Sequence, residues 1–315
     1  MLDKMGRDIN YLRISCTQTC NLRCRYCMPE KGIFEDKNKL LTDREILEIV
    51  KVFKKLGVKK VRITGGEPLV RAGIVGLVSA IKDIGIDEVV MTTNAILLED
   101  MAADLKKAGL SRINVSLDTM EPDKFSYMSR GGNLLRVKRG IEAALKAGLK
   151  PLKINTVIMK GFNDDEILDF VNLANPDISV RFIELMPIGQ AITYKDSYIS
   201  SDEILEKIKE AGLRIEKISS DKSEVADYFK IGDGKIGFIN PISHKFCKDC
   251  NRMRLASNGN LISCLHSNER VNLKNALEEG DDLERLIRET VYNKPEKHRL
   301  EEGKYNLSDM NTIGG

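Results

Sequence analysis

The first two-thirds of the chain repeat one local pattern, in which a helical stretch ends at a glycine and a short run of β-branched residues follows. The clearest copies begin at Gly57, Gly85, Gly109 and Gly148, and each run ends at a small polar residue. Glycine after a helix supplies the left-handed cap at which the chain turns, and β-branched runs are typical of strands. Strands that alternate with helices indicate a parallel sheet.

With extended runs at 11–15 and 180–186, the pattern makes six strand–helix units. We therefore predict an α/β fold in which residues 4–213 form an incomplete (β/α)6 barrel of the TIM type, although an open doubly wound sheet is also compatible with the pattern. The repeat is lost after about residue 213. Residues 214–315 are predicted to form a smaller C-terminal region that packs on the barrel.

One face of the predicted strands carries polar and cationic side chains near the strands' carboxyl ends. By period-two alternation they are Arg13, Ser15, Arg62, Thr64, Asn114, Ser116, Lys153, Asn155, Glu184 and Met186. A closed eight-stranded barrel fills its interior with aliphatic side chains, whereas a polar interior needs water or a ligand. The pattern predicts a ligand site inside the barrel. The alternative is that these side chains point outward between helices.

The composition argues against several classes of function. The amino-terminal residues lack the apolar core of a signal peptide, and no apolar run approaches membrane-spanning length, so we expect a cytoplasmic protein without membrane contacts. The net charge is only +3, tryptophan is absent and aromatic residues make up 5% of the chain, which argues against a nucleic-acid-binding surface. In a reducing compartment, clustered cysteines indicate metal binding rather than disulfides.

The first cysteine group follows the first predicted strand and has the spacing C-x3-C-x2-C, with Cys20, Cys24 and Cys27. Three thiolates on one loop can hold three irons of a cubane cluster, which leaves the fourth iron open for a substrate. A structural zinc site would need a fourth ligand, and Cys16 is the nearest candidate. Its alternative role is that of a small buried residue.

The second cysteine group has the spacing C-x2-C-x13-C, with Cys247, Cys250 and Cys264. Because His244 and His266 flank this group, a structural Cys3His zinc site competes with an iron–sulfur cluster when the group is considered alone. Arg252 and Arg254 follow directly and provide planar, permanently charged groups that suit phosphate oxygens.

The first group resembles the signature of the radical S-adenosylmethionine superfamily, in which an aromatic residue, here Tyr26, precedes the last cysteine. The Gly-Gly-Glu-Pro run at 65–68 is similar to the glycine-rich element of that superfamily. The resemblance implies a [4Fe–4S] cluster whose open iron binds S-adenosylmethionine, from which a 5′-deoxyadenosyl radical is released. It also implies contacts to this cofactor from Tyr26, Gly66, Ser116 and Met186.

The whole chain resembles the GTP 3′,8-cyclase family, through residues 20–29, 62–69, 115–118, 181–187 and 247–255 and the terminal Gly314-Gly315. The resemblance implies a radical lyase that converts GTP into (8S)-3′,8-cyclo-7,8-dihydroguanosine 5′-triphosphate, the first step of molybdenum cofactor biosynthesis. It further implies a second [4Fe–4S] cluster that binds the guanine base, no catalytic side chain, and a terminal Gly314-Gly315 that reaches the active site. The implied GTP contacts are Arg13, Arg62, Thr93, Lys153, Arg252, Met253 and Arg254.

The same resemblance implies a reductant and transfer of the product to a cyclic pyranopterin monophosphate synthase, and a homodimer is possible. One departure from the family is the Cys-Thr-Gln-Thr run at 16–19, where members often carry charged residues. Two alternatives remain: a radical peptide-modifying maturase with an auxiliary cluster, and a non-catalytic zinc protein that binds RNA.

Overall fold

The computed structural model describes residues 1–32, 36, 39–219, 224–303 and 305–314. Within them, the strands are β1 (Tyr11–Ser15), β2 (Lys60–Thr64), β3 (Glu88–Thr93), β4 (Arg112–Ser116), β5 (Leu152–Ile158), β6 (Ile178–Glu184), β7 (Glu216–Ile218), β8 (Asp227–Ile231), β9 (Gly234–Ile239), β10 (Arg252–Leu255), β11 (Asn260–Ile262) and β12 (Val271–Asn272). The α-helices are α1 (Asp43–Lys55), α2 (Ile74–Asp83), α3 (Leu98–Lys107), α4 (Pro122–Ser129), α5 (Leu134–Lys146), α6 (Ile167–Asn172), α7 (Ser201–Glu210), α8 (Leu273–Glu279), α9 (Leu283–Tyr292) and α10 (Met310–Ile313).

The glycine pattern of the sequence marks the helix-to-strand turns. Gly57, Gly85, Gly109 and Gly148 all have left-handed backbones, with φ between 77° and 94°. Helix α1 begins at a capping box, in which the Thr42 hydroxyl accepts from the backbone N–H of Glu45. The chain therefore alternates strand and helix for the local reasons that the sequence suggests.

Strands β1 to β6 lie side by side in chain order, and each neighbouring pair is parallel. This arrangement, with helices between successive strands, confirms the predicted α/β fold with six units. The apolar strand residues face the helices: Leu12, Ile14, Val61 and Ile63 are all fully buried in the core. The polar residues between them are left to face the inner side of the sheet.

The C-terminal region does more than pack against the barrel, because it extends the same sheet at both edges. Strand β9 pairs in parallel with β6, and β10 pairs in parallel with β1. The described part of the sheet then ends with β7 at one edge and β12 at the other. Strand β10, which follows Cys250, therefore lies alongside β1.

The described residues contain no helix that is both long enough and apolar enough to cross a membrane.

Candidate active site

The inner side of the sheet encloses a chamber of about 290 Å³. Side chains from β1 to β6 and from β8, β9 and β10 line it, together with residues of the C-terminal loops. The predicted inward-facing residues found on its wall are Arg13, Arg62, Asn114, Ser116, Lys153, Asn155 and Met186. The polar face therefore points inward, and not outward between helices.

Strand register explains why the arginines of this chamber form a row. In the parallel pairing, Arg13 of β1 is opposite both Arg62 of β2 and Arg254 of β10. Arg252 lies two residues before Arg254 and therefore on the same face of β10. The C-terminal strand thus places its two arginines beside those of the first two barrel strands.

The cations of this row lie close enough together to repel one another. Burial, together with the charges of Arg254, Arg62 and Arg252, lowers the pKa of Arg13 well below its usual value. Burial and Arg252 lower the pKa of Arg254 to about 10. Because each guanidinium destabilises the next, a bound polyanion would relieve repulsion along the whole row. The chamber is therefore suited to a ligand with several negative charges.

A second polar group occupies the β4–β6 side of the chamber. The Lys153 ammonium donates to Glu224 and to the Tyr228 hydroxyl, both at 2.9 Å. Arg181 donates to Asn155 at 2.9 Å. Burial and the charge of Arg181 lower the pKa of Lys153 to about 8. This ammonium is therefore already close to titration at neutral pH.

Thr92 and Thr93, the last two residues of β3, have different surroundings. Thr92 lines the chamber and accepts from Arg62 at 3.0 Å, whereas the buried Thr93 hydroxyl donates to Glu67 at 2.6 Å. Burial raises the pKa of Glu67 to about 7, although Thr93 and two backbone N–H groups oppose that shift. Alternation along β3 thus gives the chamber face to Thr92, and the GTP contact that the resemblance implies for Thr93 stays a prediction.

Two further expectations are corrected by the backbone path. Met253 lies between the two arginines of β10, so it points to the opposite face and is fully buried in the core. Glu184 ends β6 facing away from the chamber, where it accepts hydrogen bonds from Ser201 and Ser243. Met186 still lines the chamber because the chain leaves the strand after Glu184 and alternation no longer applies.

The first cysteine triplet lies on the loop that follows β1. Its turn is closed by the Cys27 backbone N–H, which donates to the Cys24 carbonyl at 3.0 Å, and the Leu22 N–H donates to the Cys20 sulfur at 3.3 Å. Burial raises the pKa of Cys20 to about 11, and burial together with Cys20 raises that of Cys27 to about 12. Burial and both neighbouring thiols raise the pKa of Cys24 well above its usual value. Three mutually close sulfurs on one loop fit a cubane, in which each cysteine binds a different iron.

The residues between this triplet and the chamber include Tyr26, whose hydroxyl donates to Asp118 at 2.7 Å. Both residues line the chamber, together with Ser116 and Met186. Gly66 has a different place: a Cβ there would lie 2.4 Å from the carbonyl oxygens of Gln18 and Thr19. Glycine is therefore required at this position so that the glycine-rich turn can pack on the cysteine loop.

The second triplet lines the chamber directly, with Cys247, Cys250 and Cys264 all on its wall. Burial opposes ionisation of Cys250, but the charges of Arg252 and Lys294 lower its pKa to about 6. Thiolate is the form that binds iron, so this site is prepared for metal. Among the described residues, no group of three or more His, Cys, Asp or Glu side chains is placed to hold a single metal ion. A cubane has a different requirement, because its cysteines bind separate irons.

The two histidines beside this triplet differ in position. His244 is exposed and pairs with Asp202 at 2.8 Å, away from the chamber wall. His266 lines the chamber and packs against His298, with ring centroids 4.8 Å apart. Cys16 is fully buried at the end of β1, where burial raises its pKa to about 12.

The C-terminal tail docks between the first cysteine loop and the arginine row. The Met310 N–H donates to the Cys27 carbonyl at 3.2 Å, and the Asn311 amide donates to the Gln18 carbonyl at 3.0 Å. Arg254 donates to the carbonyl of Gly314. Gly315 lies outside the described residues. The tail therefore contacts both parts of the site.

We expect Gly314→Val to detach this tail. Gly314 has φ +72°, and a Cβ there would lie 2.7 Å from the Thr64 hydroxyl. A β-branched residue would add strain of roughly 1–3 kcal/mol to this clash. Amide exchange of residues 310–314 should accelerate roughly tenfold or more, whereas Leu307→Ala, at a position 76% exposed, should change it little. Unchanged protection in the valine variant would contradict the docking described here.

Several residues of the chamber were not singled out by the sequence patterns. They are Tyr11, Arg112, Asp118, Arg181, Glu224 and Tyr228. Arg112 shares its face of β4 with Asn114 and Ser116, so period two could have found it. Arg181 could not be found in this way, because the sequence pattern assigns the inner face of β6 to Glu184. Glu224 and Tyr228 come from the C-terminal region, where no repeat indicated which residues return to the barrel.

Comparison with known proteins gives a consistent result. Residues 14–174 match the family model described as the Radical SAM superfamily, and residues 178–300 match Molybdenum Cofactor Synthesis C. The chain is 49% identical to a GTP 3′,8-cyclase of Peptoclostridium acidaminophilum, covering 100% of this chain and 98% of that protein. It is 51% identical to a GTP 3′,8-cyclase of Clostridium botulinum (strain Langeland / NCTC 10281 / Type F), with full coverage of both.

Among solved structures, Streptococcus suis SuiB bound to the precursor peptide SuiA has a TM-score of 0.62 and 16% identity, covering 98% of this chain and 77% of that one. This similarity shows a shared fold. The barrel, the cysteine loop after β1 and the match over residues 14–174 define an enzyme of the radical S-adenosylmethionine class, which binds that cofactor and an iron–sulfur cluster. The sequence identity of about half over the whole chain shows which family within this class it is: the chain belongs to the GTP 3′,8-cyclase family.

Proposed function

We propose that this enzyme converts GTP into (8S)-3′,8-cyclo-7,8-dihydroguanosine 5′-triphosphate, the first step of molybdenum cofactor biosynthesis. The observation that carries the proposal is the arginine row of the chamber, which lies beside the second cysteine triplet and within reach of the first loop through Tyr26 and the tail. A nucleoside triphosphate combines the required negative charge with a base. The named full-length relatives support the same substrate.

In this proposal, the row holds the triphosphate. Arg13, Arg62, Arg252 and Arg254 donate to phosphate oxygens, and Lys153 contributes from the opposite wall. Thr92 takes the role that the resemblance gave to Thr93, and we do not assign Met253 a contact through its side chain. Fixing the triphosphate fixes the ribose, and this positioning is what the reaction requires from the protein.

Cys20, Cys24 and Cys27 would hold the cluster that, when bound, supplies the electron for cleavage of S-adenosylmethionine and hence the radical that starts cyclisation. Tyr26, Ser116 and Met186 line the chamber where this cofactor would lie. Gly66 would act through its backbone, since its turn packs on the cysteine loop.

Cys247, Cys250 and Cys264 would hold a second [4Fe–4S] cluster, with its open iron toward the guanine base. Their position on the chamber wall and the low pKa of Cys250 support this role. Gly314, and with it Gly315, would complete the wall between the two clusters. Residues 4–213 and 214–315 share one sheet. In this proposal they differ in function, because each range carries one of the two clusters.

We further propose that the enzyme works in the cytoplasm, receives electrons from a separate reductant and passes its product to a cyclic pyranopterin monophosphate synthase. A homodimer remains a prediction. These statements depend on the GTP assignment and should be examined after it.

The test uses the anaerobically reconstituted protein with S-adenosylmethionine and a chemical reductant. Mass spectrometry should find the cyclic dihydroguanosine triphosphate, and cofactor cleavage should rise when GTP is added. If the rate of S-adenosylmethionine cleavage is unchanged by GTP but rises when a peptide is added, a peptide-modifying maturase is favoured instead. Zinc without iron or sulfide would favour the non-catalytic zinc protein. Either result would contradict the proposed function.

The Michaelis constant for GTP should rise above about pH 8. Burial and Arg181 lower the pKa of Lys153 to about 8, so the ammonium that binds phosphate is present below that pH and is lost above it. Lys153→Arg keeps its charge at all these pH values, so it should remove the rise. If the rise persists in the arginine variant, Tyr11, whose pKa Arg62 and Arg13 lower to about 7 against the effect of burial, would be the better explanation.

A further inference from the structure

A buried lysine connects two of the three segments that carry the second cysteine triplet. Lys294 is 2% exposed, and its ammonium donates to the carbonyl oxygen of Arg252 at 3.0 Å and to that of Ser263. Arg252 follows Cys250 by two residues, and Ser263 directly precedes Cys264. One side chain therefore ties together the two segments just beyond the antiparallel pairing of β10 with β11.

The third segment is held from the other side by Arg7 of the amino-terminal stretch. Its guanidinium donates to the Cys247 carbonyl at 2.8 Å and to the carbonyl oxygens of Pro295 at 2.8 Å and Glu296 at 3.1 Å. The buried carboxylate of Asp3 accepts from the same guanidinium at 2.6 Å, which orients it. Arg7 thus joins the Cys247 segment to the stretch that begins with Lys294.

The stretch 294–298 also lies at the chamber wall beside the triplet, because Lys294, His298 and Cys247 all line the chamber. The three cysteine segments are therefore fastened to one short stretch through two buried cations. Placing two cations in the interior is costly unless they are hydrogen-bonded or balance negative charge nearby. Carbonyl oxygens satisfy the first condition for both cations. Asp3 balances the charge of Arg7, and a cluster held by three thiolates would balance that of Lys294.

We propose that Lys294 and Arg7 are positioning residues that set the second cysteine triplet in place for its iron–sulfur cluster, with Lys294 also balancing the charge of the thiolates. The inference rests on the proposed second cluster. It assigns the amino-terminal residues Asp3 and Arg7 to that site, although they are remote from it in sequence. Ligand-supporting residues of this kind control metal retention and cluster potential.

The test compares Lys294→Met, Lys294→Gln and the exposed neighbour Lys297→Ala after anaerobic reconstitution. Wild type and Lys297→Ala should hold about eight irons per chain, as two [4Fe–4S] clusters require. Lys294→Met, which loses both the donors and the charge, should hold about four irons and keep S-adenosylmethionine cleavage. Lys294→Gln keeps N–H donors but not the charge, so it should keep its iron while the second cluster's midpoint potential becomes more negative.

Full iron with an unchanged second-cluster spectrum and potential in both Lys294 variants would overturn the inference. About four irons per chain in the wild type would instead contradict the proposed second cluster. Failure of the role of Lys294 and failure of the second cluster therefore give different results. Loss of all iron from Lys294→Met would indicate misfolding, and the Lys294→Gln potential would then decide: a shift supports the role of the charge, and no shift overturns it.

Discussion

Replacing Arg254 by alanine should lower kcat/KM for GTP roughly 100-fold, while cleavage of S-adenosylmethionine without cyclisation continues. Arg254 lies opposite Arg13 in the sheet and donates to the Gly314 carbonyl, so it connects the phosphate-binding row to the tail. Charge-assisted hydrogen bonds to a bound phosphate contribute about 1.5–3 kcal/mol, which corresponds to roughly one to two orders of magnitude. Loss of positioning for the ribose accounts for the upper end of that range.

The measurement is product formation against GTP concentration, with 5′-deoxyadenosine followed in parallel. Arg288→Ala is a suitable control, because Arg288 is 58% exposed and pairs with Glu284 on the surface of α9. Arg254→Lys should recover part of the activity, since it keeps the charge but not the planar pair of donors. A normal kcat/KM for GTP in the alanine variant would contradict the assignment of Arg254 to the phosphate site.

How much of this site the sequence could predict depends on which part of the chain supplies each residue. Along β1, β2, β4 and β5, local glycine caps and period-two alternation predict that residues such as Arg13, Arg62 and Lys153 share the inner face of the sheet, where the structure has them. The same rule also decides between Thr92 and Thr93, but only once the strand's face is fixed by its neighbours. The family resemblance pointed to Thr93, and the strand geometry favours Thr92.

The alternation rule was wrong where the backbone stops being a strand. Glu184 is the last residue of β6, and the two residues after it turn, so Glu184 and Met186 do not share a face. Met253 was included with its neighbours as a continuous motif, although a strand must send it to the opposite side from Arg252 and Arg254. Both errors arise because residues that are close together in a sequence motif need not point to the same face of the sheet.

The arrangement of the C-terminal region could not be predicted from local patterns. Its strands are short, and nothing in residues 252–255 alone indicates pairing with β1, which is more than 230 residues away in the chain. That pairing depends on long-range packing and on the completed barrel edge. The support of the second cysteine triplet by Arg7 and Lys294 was missed for the same reason, because buried cations that bind backbone carbonyls leave no motif.

The second large effect concerns the first cysteine triplet. Cys24→Ala should abolish both cyclisation and S-adenosylmethionine cleavage, below the detection limit of either assay. Cys24 lies between Cys20 and Cys27, and its carbonyl also accepts the hydrogen bond that closes the loop. Removing one thiolate leaves the proposed cluster with too few ligands, and no other described cysteine belongs to that loop except the buried Cys16 at its start.

Cys16 therefore provides the matched control within the same stretch of chain. Its thiol is fully buried in the core and its backbone pairs with Thr64, which are features of a core residue rather than a ligand. Cys16→Ala should cost about 1 kcal/mol of stability and leave both activities and the iron content near those of wild type. If Cys16→Ala instead lost its iron as Cys24→Ala does, the triplet would need a fourth cysteine. The open iron on which the proposed function depends would then not exist.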